Sequence, residues 1–147
     1  MPLFVYVDYA GVALFAATGA LAASRKQLDL IGFLFFAIVT GTGGGTVRDI
    51  VLGRVPVFWV LNPAYIVTCC VAGIVVFFTA HLVESRYRLL IWLDAVGLSA
   101  YCVMGAAKGL AATGSPTIGI VTGALTATFG GILRDLLANE PSVLLRP

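Results

Sequence analysis

Five apolar runs separated by short polar connections set the pattern of the chain, at residues 3–23, 30–52, 64–83, 89–110 and 117–137. Each is close to the roughly 20 residues that carry a helix across a hydrocarbon core of about 30 Å. They are too long for barrel strands, so helices must satisfy their own backbone groups. The pattern predicts an all-α fold, a polytopic helical membrane protein. Ser24-Arg25-Lys26-Gln27-Leu28-Asp29 is the first polar turn, Glu84-Ser85-Arg86-Tyr87-Arg88 closes the third run, and Gly114-Ser115-Pro116 joins the last two. Between the second and third runs, Phe58 and Trp59 mark an interfacial connection, and Asn62-Pro63 reads as a helix start.

Composition agrees. The chain is 60% hydrophobic and 11% charged, with a mean hydropathy of +1.03, too little polar surface to coat a soluble globule. Residues 1–8 hold no basic side chain and no cleavage-like region follows, so the first run is read as a true span and not a signal peptide. Cys69, Cys70 and Cys102 all fall inside apolar runs without metal or redox spacing and read as small hydrophobes.

The second run carries Thr40-Gly41-Thr42-Gly43-Gly44-Gly45-Thr46-Val47-Arg48-Asp49, and residues 126–135 read Thr-Ala-Thr-Phe-Gly-Gly-Ile-Leu-Arg-Asp. Thr40, Thr42, Gly44, Gly45, Arg48 and Asp49 thus reappear as Thr126, Thr128, Gly130, Gly131, Arg134 and Asp135, 86 positions later. The same offset pairs Asp8 with Asp94, Gly11 with Gly97, Phe15 with Tyr101 and Gly19 with Gly105. Span four therefore repeats span one, and span five repeats span two.

With three spans per unit, the second copy enters the membrane from the opposite side, the inverted-repeat plan of many transporters and channels. The units are residues 1–86 and residues 87–147. At this offset Pro147 stands opposite Leu61, just before the start of the third span, so a sixth span is expected to be missing and the chain to be a truncated form of a longer one. The glycines lower helix propensity by about 1 kcal/mol each, and the glycine-rich spans are expected to be either two half-helices or one sharply kinked helix.

Such breaks would free backbone amides and carbonyls that only protein, water or an ion could satisfy. Arg48-Asp49 and Arg134-Asp135 follow within one turn. Two readings stand side by side: each Arg-Asp pair ties its helix to a neighbour, or the two glycine-rich stretches line a permeation or substrate pathway. For a cation, glycine carbonyls, threonine hydroxyls and carboxylates are hard oxygen ligands. For a zwitterionic amino acid, Arg could hold the carboxylate and Asp the amine. Thr42 and Thr128 are candidates for the same pathway.

Lys108 near the end of span four reads as a snorkelling anchor, with a pore or gating role as its alternative. His81 reads as an interfacial residue. Nucleotide, metal-ligand and Ser-His-Asp patterns are lacking, and an enzyme is not expected. Arg25, Lys26, Arg86, Arg88 and Arg146 fall on one side of the membrane, against Arg54 and Lys108 on the other. The positive-inside rule then places the N-terminus outside. The juxtamembrane cations could also meet anionic lipid.

The Gly-Gly-Gly-x-x-Arg-Asp of the second span and its Gly-Gly-x-x-Arg-Asp repeat in the fifth resemble the prokaryotic TRIC (trimeric intracellular cation) channels, over essentially the whole chain. That resemblance implies a seven-helix protein of two inverted three-helix repeats plus a final helix. It implies a homotrimer in a bacterial or archaeal cell membrane, each protomer passing monovalent cations, chiefly potassium, without cofactor or nucleic acid. Gly43, Gly44, Gly45, Gly130 and Gly131 would form the kinks of the pore helices, with Arg48, Asp49, Arg134 and Asp135 on or beside the pore. Animal members carry Lys-Glu-Val near the end of span four, where this chain has Lys108-Gly109-Leu110, so only the lysine matches. Related bacterial sequences are also described as glycine transporters, which keeps a small amino-acid transporter as the alternative function.

Overall fold

The computed structural model describes residues 2–53, 56–79 and 86–138. All regular elements among them are helices: α1 (Pro2–Arg25), α2 (Leu30–Val51), α3 (Phe58–Leu61), α4 (Ala64–Thr79), α5 (Arg86–Thr113) and α6 (Pro116–Leu137). Helices α1, α2, α5 and α6 are long and apolar enough to cross a membrane, while the described part of α4 is a shorter apolar helix of 16 residues. At 22 residues, α2 and α6 are each about 33 Å long, enough to span the hydrocarbon core.

Local chemistry fixes where these helices start. Asp29 caps α2, its carboxylate accepting a hydrogen bond of 2.9 Å from Gly32 N, and Ser115 caps α6 by accepting from Ile118 N at 3.4 Å, with Pro116 in the first turn. Gly114, at φ +70°, makes the turn between α5 and α6 in the left-handed region that glycine enters freely. Asp29 and Ser115 are themselves 86 residues apart, as are the C-caps Leu52 and Ala138, so α2 and α6 keep the sequence offset to the residue.

The glycine-rich stretches revise the expectation of half-helices. Both α2 and α6 run as single helices through residues 41–45 and 130–131. The physical reason is the environment: a broken turn in hydrocarbon leaves polar backbone groups unpaired at several kcal/mol each. That exceeds the propensity deficit of glycine. What the glycines supply instead is close approach.

At the crossing of α2 and α6, a Cβ on Gly44 would run into the backbone carbonyl oxygen of Thr126, and one on Gly130 would lie 2.6 Å from the carbonyl oxygen of Thr40. The contacts are reciprocal at the 86-residue offset. The same holds where α1 crosses α5: Gly11 faces the Tyr101 ring, Gly97 faces the Phe15 ring, and the two rings stack at 5.1 Å between centroids. Small residues thus let backbones and rings approach where lipid offers no hydrophobic drive between helices.

Helices α1 and α2 form one packed pair and α5 and α6 another, and the two pairs meet through α1 against α5 and α2 against α6. Helix α4 packs on α1 and α2. Cys69 of α4 is fully buried against Gly41, behaving as the small hydrophobe expected, whereas Cys70 is half-buried and Cys102 exposed. The third span is described only to Thr79, and Arg54, His81 and Arg146 lie outside the described residues.

Gly44→Ala and Gly130→Ala will each destabilise the protein by at least the roughly 1–3 kcal/mol of an overpacked core, because the obstacle is backbone. Gly32→Ala will cost less, because its Cβ would meet the side chain of the exposed Leu28, at 2.7 Å, and no backbone. Thermal unfolding in detergent measures this, and equal melting temperatures for all three variants would contradict the crossing geometry.

Candidate functional site

Two buried charge clusters sit at the C-terminal ends of α2 and α6. Arg48 and Arg134 are 1% and 0% exposed. An isolated buried charge is costly, and each arginine is matched by carboxylates.

Arg134 is held on every side. Its Nε donates to Asp135 Oδ1 at 2.9 Å, Nη2 to Asp135 Oδ2 at 3.3 Å, and Nη1 to both Asp94 Oδ1 at 3.1 Å and Thr18 Oγ1 at 3.0 Å. Helices α1, α5 and α6 meet on this one guanidinium. Thr18 in turn donates to Phe15 O at 2.7 Å.

Arg48 is held differently. Its Nε donates to Asp49 Oδ1 at 3.0 Å, and its guanidinium carbon lies 5.4 Å from the centre of the Phe58 ring. Asp49 Oδ2 accepts from the Phe58 backbone N–H at 2.8 Å, which ties α3 to the end of α2. Asp8, the counterpart of Asp94, bonds elsewhere: its Oδ2 accepts from Tyr65 Oη at 2.8 Å and from Lys108 Nζ at 3.1 Å. Neither Nη1 nor Nη2 of Arg48 has a hydrogen-bond partner among the described residues.

Lys108 is therefore not the snorkelling anchor read from sequence. Its ammonium turns inward to Asp8, with the side chain 26% exposed. A cavity of about 90 Å³ is lined by Arg48, Asp49, Pro56, Phe58, Leu61 and Lys108.

Among the described residues, the other sequence candidates contribute no side-chain hydrogen bond to the clusters. Thr42 and Thr128 donate to the carbonyls of Ile38 and Ala124, at 2.6 and 2.7 Å, which leaves their oxygen lone pairs as acceptors. Gly43 faces Leu133 and Gly45 faces the Phe58 ring. Gly131 leaves room beside Arg134 and Asp94, with a notional Cβ at 3.4 and 3.5 Å. Trp59, read as an interfacial ring, also donates from Nε1 to Thr46 Oγ1 at 2.9 Å. Thr18, Tyr65 and Phe58 join the clusters with no charge or motif to signal them, whereas Asp8 and Asp94 were already paired by the offset.

Known proteins align with this arrangement over nearly the whole chain. A family model described as Glycine transporter matches residues 5–81 and 91–147. The UPF0126 inner membrane protein YadS of Escherichia coli K12 is 40% identical over 98% of this chain and 70% of its own length. A UPF0126 membrane protein of Vibrio cholerae is 38% identical, over 98% and 61% respectively. Among solved structures, the TRIC trimeric intracellular cation channel orthologue from Rhodobacter sphaeroides superposes with a TM-score of 0.98 at 52% identity, covering all of this chain and 76% of that one. The chain belongs to the bacterial TRIC family, the UPF0126 membrane proteins. A prokaryotic TRIC channel crystallised in 0.5 M KCl gives a TM-score of 0.92 at 27% identity, covering 97% of this chain and 74% of that one. The all-α TRIC fold expected from the repeated Arg-Asp motif is the fold found.

The two clusters predict unequal sensitivity. Asp94→Asn leaves the fully buried Arg134 with Asp135 as its remaining carboxylate and weakens a buried charge-assisted hydrogen bond, at a cost of about 1.5–3 kcal/mol. Asp8→Asn will cost less, because the Lys108 side chain is 26% exposed where that of Arg134 is fully buried. Chemical denaturation in detergent compares them, and a loss at Asp8 equal to that at Asp94 would contradict the difference in burial.

Proposed function

We propose that this TRIC-family chain forms a passive channel for monovalent cations, potassium chief among them, with one pathway inside each protomer of a homotrimer. The observation that carries this reading is the likeness, at a TM-score of 0.98 and 52% identity, to a chain described as a trimeric intracellular cation channel. The pathway follows α2 and α6, past Gly43, Gly44, Gly45 and Gly130, Gly131, with Arg48-Asp49 at one end and Arg134-Asp135 at the other. Residues 1–86 and 87–147 act as the two opposed units, and the reciprocal glycine contacts at the 86-residue offset support that division.

In this structure the α2–α6 crossing is closed by backbone contact, so conduction requires the two helices to part. Paired side chains of opposite charge at both ends leave a path that repels neither ion sign strongly, and carbonyl and carboxylate oxygens supply cation ligands. The N-terminus faces outward from a bacterial or archaeal cell membrane, and Arg25, Lys26 and Arg88 on the opposite side contact anionic lipid.

Glycine transport is the second reading, favoured by the family model matching residues 5–81 and 91–147. The two separate in reconstituted bilayers. The channel gives discrete single-channel currents, and Arg48→Ala and Asp49→Ala change their conductance or gating. Saturable uptake of labelled glycine without such currents would replace the channel with the transporter. Unchanged currents in both variants would remove that pair from the pathway.

A further inference from the structure

The two arginines that the repeat makes equivalent are not equivalently used. Arg134 spends Nε, Nη1 and Nη2 on two carboxylates and a hydroxyl. Arg48, just as buried, spends only Nε among the described residues. Its remaining fork of donors borders the cavity of about 90 Å³, with Lys108 across from it and Asp49 beside it. A buried guanidinium with unused donors is costly unless water or a ligand accepts from them. Bidentate acceptance by a carboxylate is the match that guanidinium geometry favours.

We infer that this cavity is a binding site for a small amino-acid zwitterion of glycine size, its carboxylate held by Arg48 and Lys108 and its ammonium by Asp49. Charge balance selects the zwitterion over a bare anion. Arg48, Lys108, Asp49 and Asp8 sum to zero, so a zwitterion adds no net charge in a low-dielectric site, whereas acetate adds an uncompensated negative one. Lys108 keeps two of its three donors free of Asp8. Each oxygen of Asp49 accepts one hydrogen bond, from Arg48 or from Phe58, and retains capacity for an ammonium.

Size selects glycine among amino acids. At about 90 Å³, the cavity suits a ligand of few heavy atoms. Among the described residues its other walls, Pro56, Phe58 and Leu61, carry no charged side chain. Lys108 also borders a wider recess of about 440 Å³ with Leu52, Ala111 and Ala112. The site deepens the glycine-transport reading and equally fits a channel that carries a ligand at one end of its path.

Isothermal titration of the purified protein in detergent with glycine, acetate and glycinamide tests the assignment. Glycine will bind saturably, acetate more weakly, and glycinamide, which lacks the carboxylate, not measurably. Arg48→Gln will weaken glycine binding about tenfold to a hundredfold, the loss of charge-assisted contacts. Lys108→Met will weaken it less, Leu61→Trp will block it by filling the cavity, and Lys26→Gln will leave it unchanged. If Arg48→Gln fails to fold, Leu61→Trp and Lys108→Met decide. Absent saturable heat with glycine, glycine binding unaffected by Leu61→Trp and Lys108→Met, or acetate binding tighter than glycine would each overturn the site. Glycine uptake into liposomes that persists in those two variants overturns the site but leaves transport standing. Binding that disappears in them, without uptake by the parent, leaves the site and removes transport.

Discussion

The close approach of α2 and α6 is the contact on which the rest of the molecule depends. A helix crossing at which each glycine lies against the other helix's carbonyl tolerates no side chain at either position. It draws the two helices together along their polar stripe and sets the charged ends of both inside the protein. Once Arg48 and Arg134 are buried there, carboxylates must follow, and the chain supplies them from α2 and α6 themselves and, for Arg134, from α5 as well. Small residues in the core and charges near its ends are thus two consequences of one packing choice.

The symmetry is then broken at a few positions, and those breaks carry the chemistry. At the 86-residue offset Lys108 corresponds to Ala22, and Thr18 corresponds to Met104. Lys108 draws Asp8 away from Arg48, while Thr18 adds a hydroxyl to Arg134. One cluster is closed by protein partners and works as a clamp between three helices. The other keeps unused donors beside a small cavity. In the proposed pathway this asymmetry would make one end rigid and leave the other able to respond to an ion or a ligand.

Much of this was legible in the residues before any geometry. The apolar runs gave the spans, and the 86-residue offset paired Asp8 with Asp94 and the two Arg-Asp motifs with each other. Glycine propensity misled, because propensity describes a helix in water and these helices sit where an unpaired backbone group has nowhere to turn. Lys108 misled for a related reason: nothing in its local sequence reveals a carboxylate a hundred residues away on α1. Which acid each arginine takes is a property of helix rotation and depth, and the hydroxyls of Thr18 and Tyr65 enter only once that rotation is fixed.

The central claim is that a path flanked by permanently charged arginines conducts cations, because each arginine is neutralised by carboxylates and the remaining ligands are oxygens. The reversal potential of the reconstituted protein under a potassium chloride gradient tests that claim most directly. The account predicts reversal near the potassium equilibrium potential. Reversal near the chloride potential would mean that the arginines set the field of the path, and would contradict it.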